Sequence, residues 1–444
     1  MITFQGMPPS GRIFGCLLCL CLCLCGAARA ETYTMAQAVR QALTANPGLQ
    51  AKEHLLEQAR LNIGVARSAF LPRLSLVSSY ERLKNSGDVG MSDELSSRSR
   101  SHGLRASLSL FAGFSHLNNL LKAKLSADME EARHLQAQLE LIVYVQLQFL
   151  QLLKGREDLK TAEESVRRLR EQLKAAQAFV DVGMAPYLNV LQNETELARA
   201  GQRVIRARNE IRNAEAQLNR YLALPPGTPV VYSGRLRDFS GQGQHNYNEE
   251  EAIKTALYRR PDLIMAQKTV AIAFKDVDIR GGDYLPRVDA TYDVMRFHRD
   301  YEDKLYRDYS RSYWAVGLSV SWEFFSGGGT TYGLLGDRQK ARALQKDYED
   351  AVSNARTEVI RALLDIGAAR ELIAASRKGV TAARESYAMA DKRYQTHSGS
   401  MTELLDSQQR LTEAENEVSQ AIAEYHSARA RFFYYIGRKN PNLE

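Results

Sequence analysis

The sequence predicts a mostly α-helical fold with a membrane β-barrel. It consists of long coiled-coil helices in two parallel copies, with four β-strands per chain. Three observations carry this expectation. The stretch from Ser115 to Val182 holds no proline and one glycine, Gly155, so nothing in it forces a helix to stop. The chain repeats its own landmarks: Leu71-Pro72 returns as Leu285-Pro286, 214 residues further on. Between the helical stretches lie pairs of short segments in which apolar and polar residues alternate, the period of a strand.

The first thirty residues stand apart. Arg12 precedes an apolar run from Ile13 to Cys25, and Ala28-Arg29-Ala30 has the form of a small-residue cleavage signal. This is a secretory leader over residues 1–30, too short to span a bilayer as a helix. All five cysteines lie within it, so the mature chain can form no disulfide. Losing Arg12 and Arg29 leaves 57 basic and 52 acidic residues, a net charge of +5. These charges interleave along helical faces, a solvated surface rather than a nucleic-acid site.

In chain order, Thr34 and Gln37 form a capping box that opens a helix running to about Phe70. Leu71-Pro72 ends it and leads into the strand Leu74–Tyr80. A polar Gly/Ser-rich loop is expected from Lys84 to His102, then a second strand over Leu104–Leu110, giving a hairpin over 73–111. The long helix 115–182 follows. Its apolar residues step by three and four through Leu159, Ala162, Val166, Leu169, Leu173, Ala176 and Val180, a heptad seam. Val182-Gly183 breaks it, and Pro186 opens a helix to Leu222. These elements make a first repeat over 31–224. Pro225, Gly227 and Pro229 begin an irregular segment over 225–248.

The programme then restarts as a second repeat over 249–437: helix, hairpin 287–325, long helix 330–397, helix 402–437, and a tail 438–444. Phe111-x-Gly113 returns as Phe325-x-Gly327, and the heptad seam returns in phase from Ile373 through Ser376, Tyr387 and Ala390 to Tyr394. At 1.5 Å per residue each long helix spans about 100 Å. Each half-length helix, of about 36 residues, spans about 55 Å, so two stacked end to end match a long one.

In the second hairpin Trp314, Val316, Leu318, Val320, Trp322 and Phe324 share one strand face, with Ser319, Ser321 and Glu323 on the other. Trp314 and Trp322 are the only tryptophans. Eight residues of strand separate them by about 26 Å, the spacing of two interfacial aromatic girdles. Four strands cannot close a barrel, so the chain must associate: a dimer supplies 8 strands and a trimer 12.

The mature chain resembles the TolC family of outer-membrane efflux proteins over essentially its whole length. The match rests on the duplication, on Pro72 and Pro286 at the strand starts, and on Arg393-Tyr394-Gln395…Ser400-Met-Thr-Glu403-Leu-Leu-Asp406-Ser-Gln408. That resemblance implies a homotrimer with a 12-stranded barrel in outer-membrane lipid, and a long periplasmic helical tunnel. It also implies an equatorial belt including 225–248. The partners implied are a periplasmic adaptor and an inner-membrane RND or ABC transporter, for export of drugs or polypeptides. It further implies that the periplasmic tips close around acidic rings at Glu403 and Asp406, with Tyr394 beside them and Asn189 as the first-repeat counterpart. Gly399 stands where some members carry a gating arginine, and His397 where a glycine is usual.

From spacing alone, Glu403 and Asp406 lie in the first turns of a helix, where carboxylates complement its dipole by about 0.3–1 kcal/mol each. Tyr394 also continues the heptad seam. No catalytic or metal-binding constellation is expected, because the eight histidines are scattered and no phosphate-loop or nucleophile-elbow motif occurs. No cofactor is expected either. Gly327–Gly329 marks a bend from strand to helix rather than a phosphate cradle. The competing reading from another class is a soluble periplasmic coiled-coil adaptor or scaffold without a pore.

Overall fold

The computed structural model describes residues 32–84, 97–225, 227–236, 247–301 and 307–440. The leader expected over 1–30, the centre of the first hairpin loop and much of segment 225–248 lie outside the described residues. The elements in order are β1 (Thr32–Tyr33), α1 (Met35–Ala45), α2 (Pro47–Ser68), β2 (Arg73–Leu83), β3 (Ser97–Ala112), α3 (Ser115–Asp181) and α4 (Leu188–Tyr221). The second half adds β4 (Val231–Tyr232), α5 (Glu249–Arg259), α6 (Pro261–Gly282), β5 (Arg287–Tyr301), β6 (Tyr309–Ser321), α7 (Gly329–Gln395) and α8 (Met401–Tyr435). The two 67-residue helices α3 and α7 each run about 100 Å.

Four details depart from the sequence expectation, each for a local reason. The first helix of each repeat is two helices. Pro47 and Pro261 hold Asn46 and Arg260 in extended backbone, with ψ of 118° and 121°. Asn46 then caps α2 by accepting a hydrogen bond from Leu49 N. Strand β3 begins at Ser97 rather than Leu104. Its first residues alternate serine with arginine, which hides the strand period, but they pair on both sides with β2 and β5. Strand β6 stops at Ser321, opposite Arg287. The next partner of Trp322 would be Pro286, which has no N–H to donate. Finally, β1 and β4 form a two-stranded parallel sheet that carries no periodicity of its own.

The larger sheet runs β2-β3-β5-β6, antiparallel throughout. Its register places apolar residues in rows on one face: Leu76, Leu104, Val294 and Trp314 form one row, and Leu74, Ala106, Tyr292 and Val316 the next. Leu74, Leu76, Trp314 and Val316 are each at least 70% exposed in the protomer. The opposite face is polar and carries the Arg105–Asp293 ion pair at 2.6 Å. A bulge between Ser109 and Phe111 bends β3 where the sheet meets α3. No helix among the described residues is long and apolar enough to cross a membrane.

The main core sits at mid-height. Phe149, Leu152 and Leu153 of α3 pack with Leu218, Leu222, Tyr232 and Leu236. The β1–β4 pair ties the chain start to this point, and Tyr232 donates from its hydroxyl to Asn219 Oδ1 at 2.6 Å. A matching core in the second repeat joins Val359, Ala362 and Ile366 to Phe432 and Phe433.

Where sheet becomes helix, Gly113 and Gly282 cross so closely that a Cβ on either would lie 2.1 Å from the other's carbonyl oxygen. Gly282→Ala should therefore cost more than about 2 kcal/mol, since a packed backbone crossing cannot yield. Gly281→Ala points into open space and should be tolerated. Heat-modifiable migration of both variants extracted from outer membranes checks the difference.

Candidate periplasmic gate

The helical ends farthest from the sheet gather the residues of the candidate gate. Helix α3 closes in a Schellman turn: Gly183 N donates to Val180 O and Met184 N to Phe179 O, with Gly183 at φ 75°. Helix α7 closes the same way, 214 residues later: His397 N donates to Tyr394 O and Ser398 N to Arg393 O. His397 takes the left-handed conformation at φ 56°, a strained position for a residue with a Cβ. Its ring lies 4.5 Å from that of Phe179, so the two turns pack against each other. Ser400 then caps α8, accepting from Glu403 N at 3.1 Å.

Beneath the turns a small core of Ala176, Val190, Ala390, Tyr394, Met401 and Leu404 joins all four helices. Tyr394 is buried within it, beside Asn189, and burial pushes its hydroxyl pKa up while Asn189 opposes the shift. Tyr394 thus fills the heptad seam and touches the first repeat through Phe179, 5.7 Å between ring centroids.

Glu403 and Asp406 both lie on the exposed side of α8, and each has an arginine. Arg393 Nη1 donates to Glu403 Oε1 at 2.8 Å, and Arg410 Nη2 lies 2.9 Å from Asp406 Oδ2. Arg393 also donates to Ser398 O, bracing the turn. A Cβ at Gly399 would come 3.0 Å from Arg393 Cβ, so glycine there leaves room for this arginine. The Arg410 partner was legible as an i, i+4 pair. Arg393 was not, because only the folded turn brings it back onto α8. Both pairs are exposed, worth at most about 1 kcal/mol each.

A second, less exposed polar seam lies deeper. Arg168 of α3 reaches Glu415 of α8 at 3.3 Å, with both side chains about 15% exposed, and donates to Gln408 Oε1 at 3.0 Å. Gln408 in turn donates to Ser165. One step nearer the tip, Gln172 donates to the Tyr387 hydroxyl at 3.2 Å. Burial, followed by nearby Asp391, raises the Tyr387 pKa against Gln172 and Arg168. Burial also raises Asp391 itself, with Glu171 adding to it. Pro72, Pro286, Trp314 and Trp322 belong to the other end of the molecule: the prolines directly precede β2 and β5, Trp314 stands in the apolar row, and Trp322 donates from Nε1 to Tyr284 O at 3.1 Å. No group of acidic, histidine or cysteine residues fit to hold a metal occurs among the described residues.

The profile of outer membrane efflux proteins matches this chain twice, over residues 38–224 and 252–438. The chain belongs to the outer membrane efflux protein family. The two matched stretches are offset by the same 214 residues as the internal repeat. The alkaline protease secretion protein AprF of Pseudomonas aeruginosa is 25% identical over 426 residues, 89% of this chain and 82% of AprF. Protein CyaE of Bordetella pertussis is 24% identical over 388 residues, 86% and 79% of the two chains. Among solved structures, the outer-membrane channel OprN superposes with a TM-score of 0.77 at 22% identity, covering 91% of this chain and 90% of OprN. VceC of Vibrio cholerae gives 0.76 at 14% identity, covering 91% and 96%. The protein is an outer-membrane efflux or secretion channel, with its sheet in the outer membrane and its helices in the periplasm.

Removing Arg168 alone would leave Glu415 mostly buried with only Arg384, 3.7 Å away. Arg168→Met should cost about 2–3 kcal/mol, and the double variant Arg168→Met/Glu415→Met should regain much of it. Thermal unfolding in detergent reads both.

Proposed function

We propose that three copies of this chain assemble into a 12-stranded barrel continued by a helical tunnel, a passive exit duct closed at its periplasmic tips. The observation that carries this reading is the β2-β3-β5-β6 sheet. One face is apolar and exposed, and both edge strands lack a neighbour among the described residues. Such edges cannot face lipid unpaired, and four strands are too few to close. A periplasmic adaptor and an inner-membrane RND or ABC transporter would supply selection and energy. Polypeptide export is favoured by the secretion role printed for AprF, which matches most of this chain. Trp314 and Trp322 would mark the two girdles of the lipid-facing band, with Pro72 and Pro286 at its periplasmic rim.

At the tips, Glu403 and Asp406 would form rings around the axis, with Tyr394 and Asn189 packing the turns behind them. Each acid carries a local arginine, so the rings are charge-compensated and cation preference should be modest. Planar-bilayer conductance of the detergent-purified mature protein tests the duct: small, cation-selective steps are expected. A well-folded sample that never inserts would sink the reading in favour of a soluble scaffold.

The same recordings test the gate. Glu403→Ala/Asp406→Ala should weaken cation preference and divalent block. Arg393→Ala/Arg410→Ala should strengthen both. Unchanged selectivity in the two double variants would mean that these residues do not face the pore.

A further inference from the structure

Beyond the apolar rows, on the same outward face of the sheet, the register stacks cations. Immediately past the row Leu76, Leu104, Val294 and Trp314 comes His102 opposite Arg296. Two residues further, Arg100 stands opposite His298, and two further still, Arg82 opposes Arg98. Three successive cross-strand pairs thus set cation-forming side chains directly against each other, an arrangement that ordinarily destabilises a sheet. All four arginines and His102 are exposed. On this face Asp300 is the one carboxylate among the described strand residues, 2.7 Å from His298 and 3.8 Å from Arg100. It offsets one charge of four.

The position of the cluster names its counterpart. The helices leave the sheet at the opposite end, so these rows lie on the outer-leaflet side of the membrane. They begin about 7 Å along the strand from Trp314 and end about 20 Å from it, the depth of lipid headgroups above an aromatic girdle. Guanidinium groups recognise phosphate bidentately, and an anion bridging opposed arginines removes the repulsion that the bare sheet carries. We propose that this belt binds the phosphate groups of the phosphorylated glycolipid of the outer leaflet, fixing the barrel's depth and orientation. The proposal goes beyond the exit-duct reading and needs only the barrel's place in the outer membrane.

The test is native mass spectrometry of the full mature protein, titrated in detergent with bisphosphorylated lipid A, its dephosphorylated form, or phosphatidylglycerol. Wild type should retain the bisphosphorylated lipid. The variant Arg98→Gln/Arg100→Gln/Arg296→Gln should bind it at least ten-fold more weakly. The control Arg299→Gln/Arg311→Gln removes two cations from the opposite sheet face at the same height and should bind as wild type does. Should the triple variant not assemble, Arg296→Gln alone is read the same way, with a loss of about three-fold. Equal binding by the triple variant or by the dephosphorylated lipid, an equal loss in the control, or equal retention of phosphatidylglycerol overturns the proposal. Bilayer conductance of the triple variant should match wild type, which separates failure of the lipid reading from failure of the channel reading.

Discussion

The structure depends on one constraint: backbone N–H and C=O groups cannot be left unpaired in hydrocarbon. The sheet β2-β3-β5-β6 satisfies its inner strands and leaves β2 and β6 open at the edges. Everything below follows from how those edges are completed. If neighbouring copies complete them, the copies stand around an axis, and their paired long helices form the wall of a tube. The close crossing of Gly113 and Gly282 sets the angle at which each helical wall leaves its share of the sheet.

Duplication explains the rest of the backbone plan, and its two halves are not equally relaxed. Left-handed residues occur in matching pairs 214 residues apart: Phe114 with Gly328, Gly183 with His397, and Ala223 with Gly437. In each pair one copy uses glycine and the other accepts strain. At the tip the strained copy is the second, and His397 gains in exchange a ring contact with Phe179 across the repeats. At Gly437 the glycine is required twice over, because a Cβ there would also lie 2.7 Å from the Arg259 backbone.

Charge is arranged differently at the two ends. At the tips and along the α3–α8 seam, carboxylates and arginines are matched within about 3 Å, so the helices slide or separate only by breaking pairs. On the outward face of the sheet, cations oppose cations. The first arrangement holds the protein to itself. The second is complete only with anions from outside.

Much of this was legible in the chain. The uninterrupted helix, the 214-residue repeat and the alternating strands determine a tall α-helical body with a four-stranded share of a barrel, because periodicity reports which face is apolar. The heptad positions from Leu159 to Val180 and from Ile373 to Tyr394 are all partly or fully buried for that reason. Periodicity is silent where both faces are polar, so the first residues of β3 were hidden, and with them the basic belt. It is equally silent on a two-residue strand such as β1, which exists only because β4 is brought alongside. The acids Glu403 and Asp406 could be found from their motif, but not the neutralising partner Arg393, which reaches Glu403 through the folded turn at 396–400. Sequence alone determined which faces are apolar and where the chain repeats. Tertiary structure decided which charges meet, because an ion pair depends on distance in space and leaves no period in the chain.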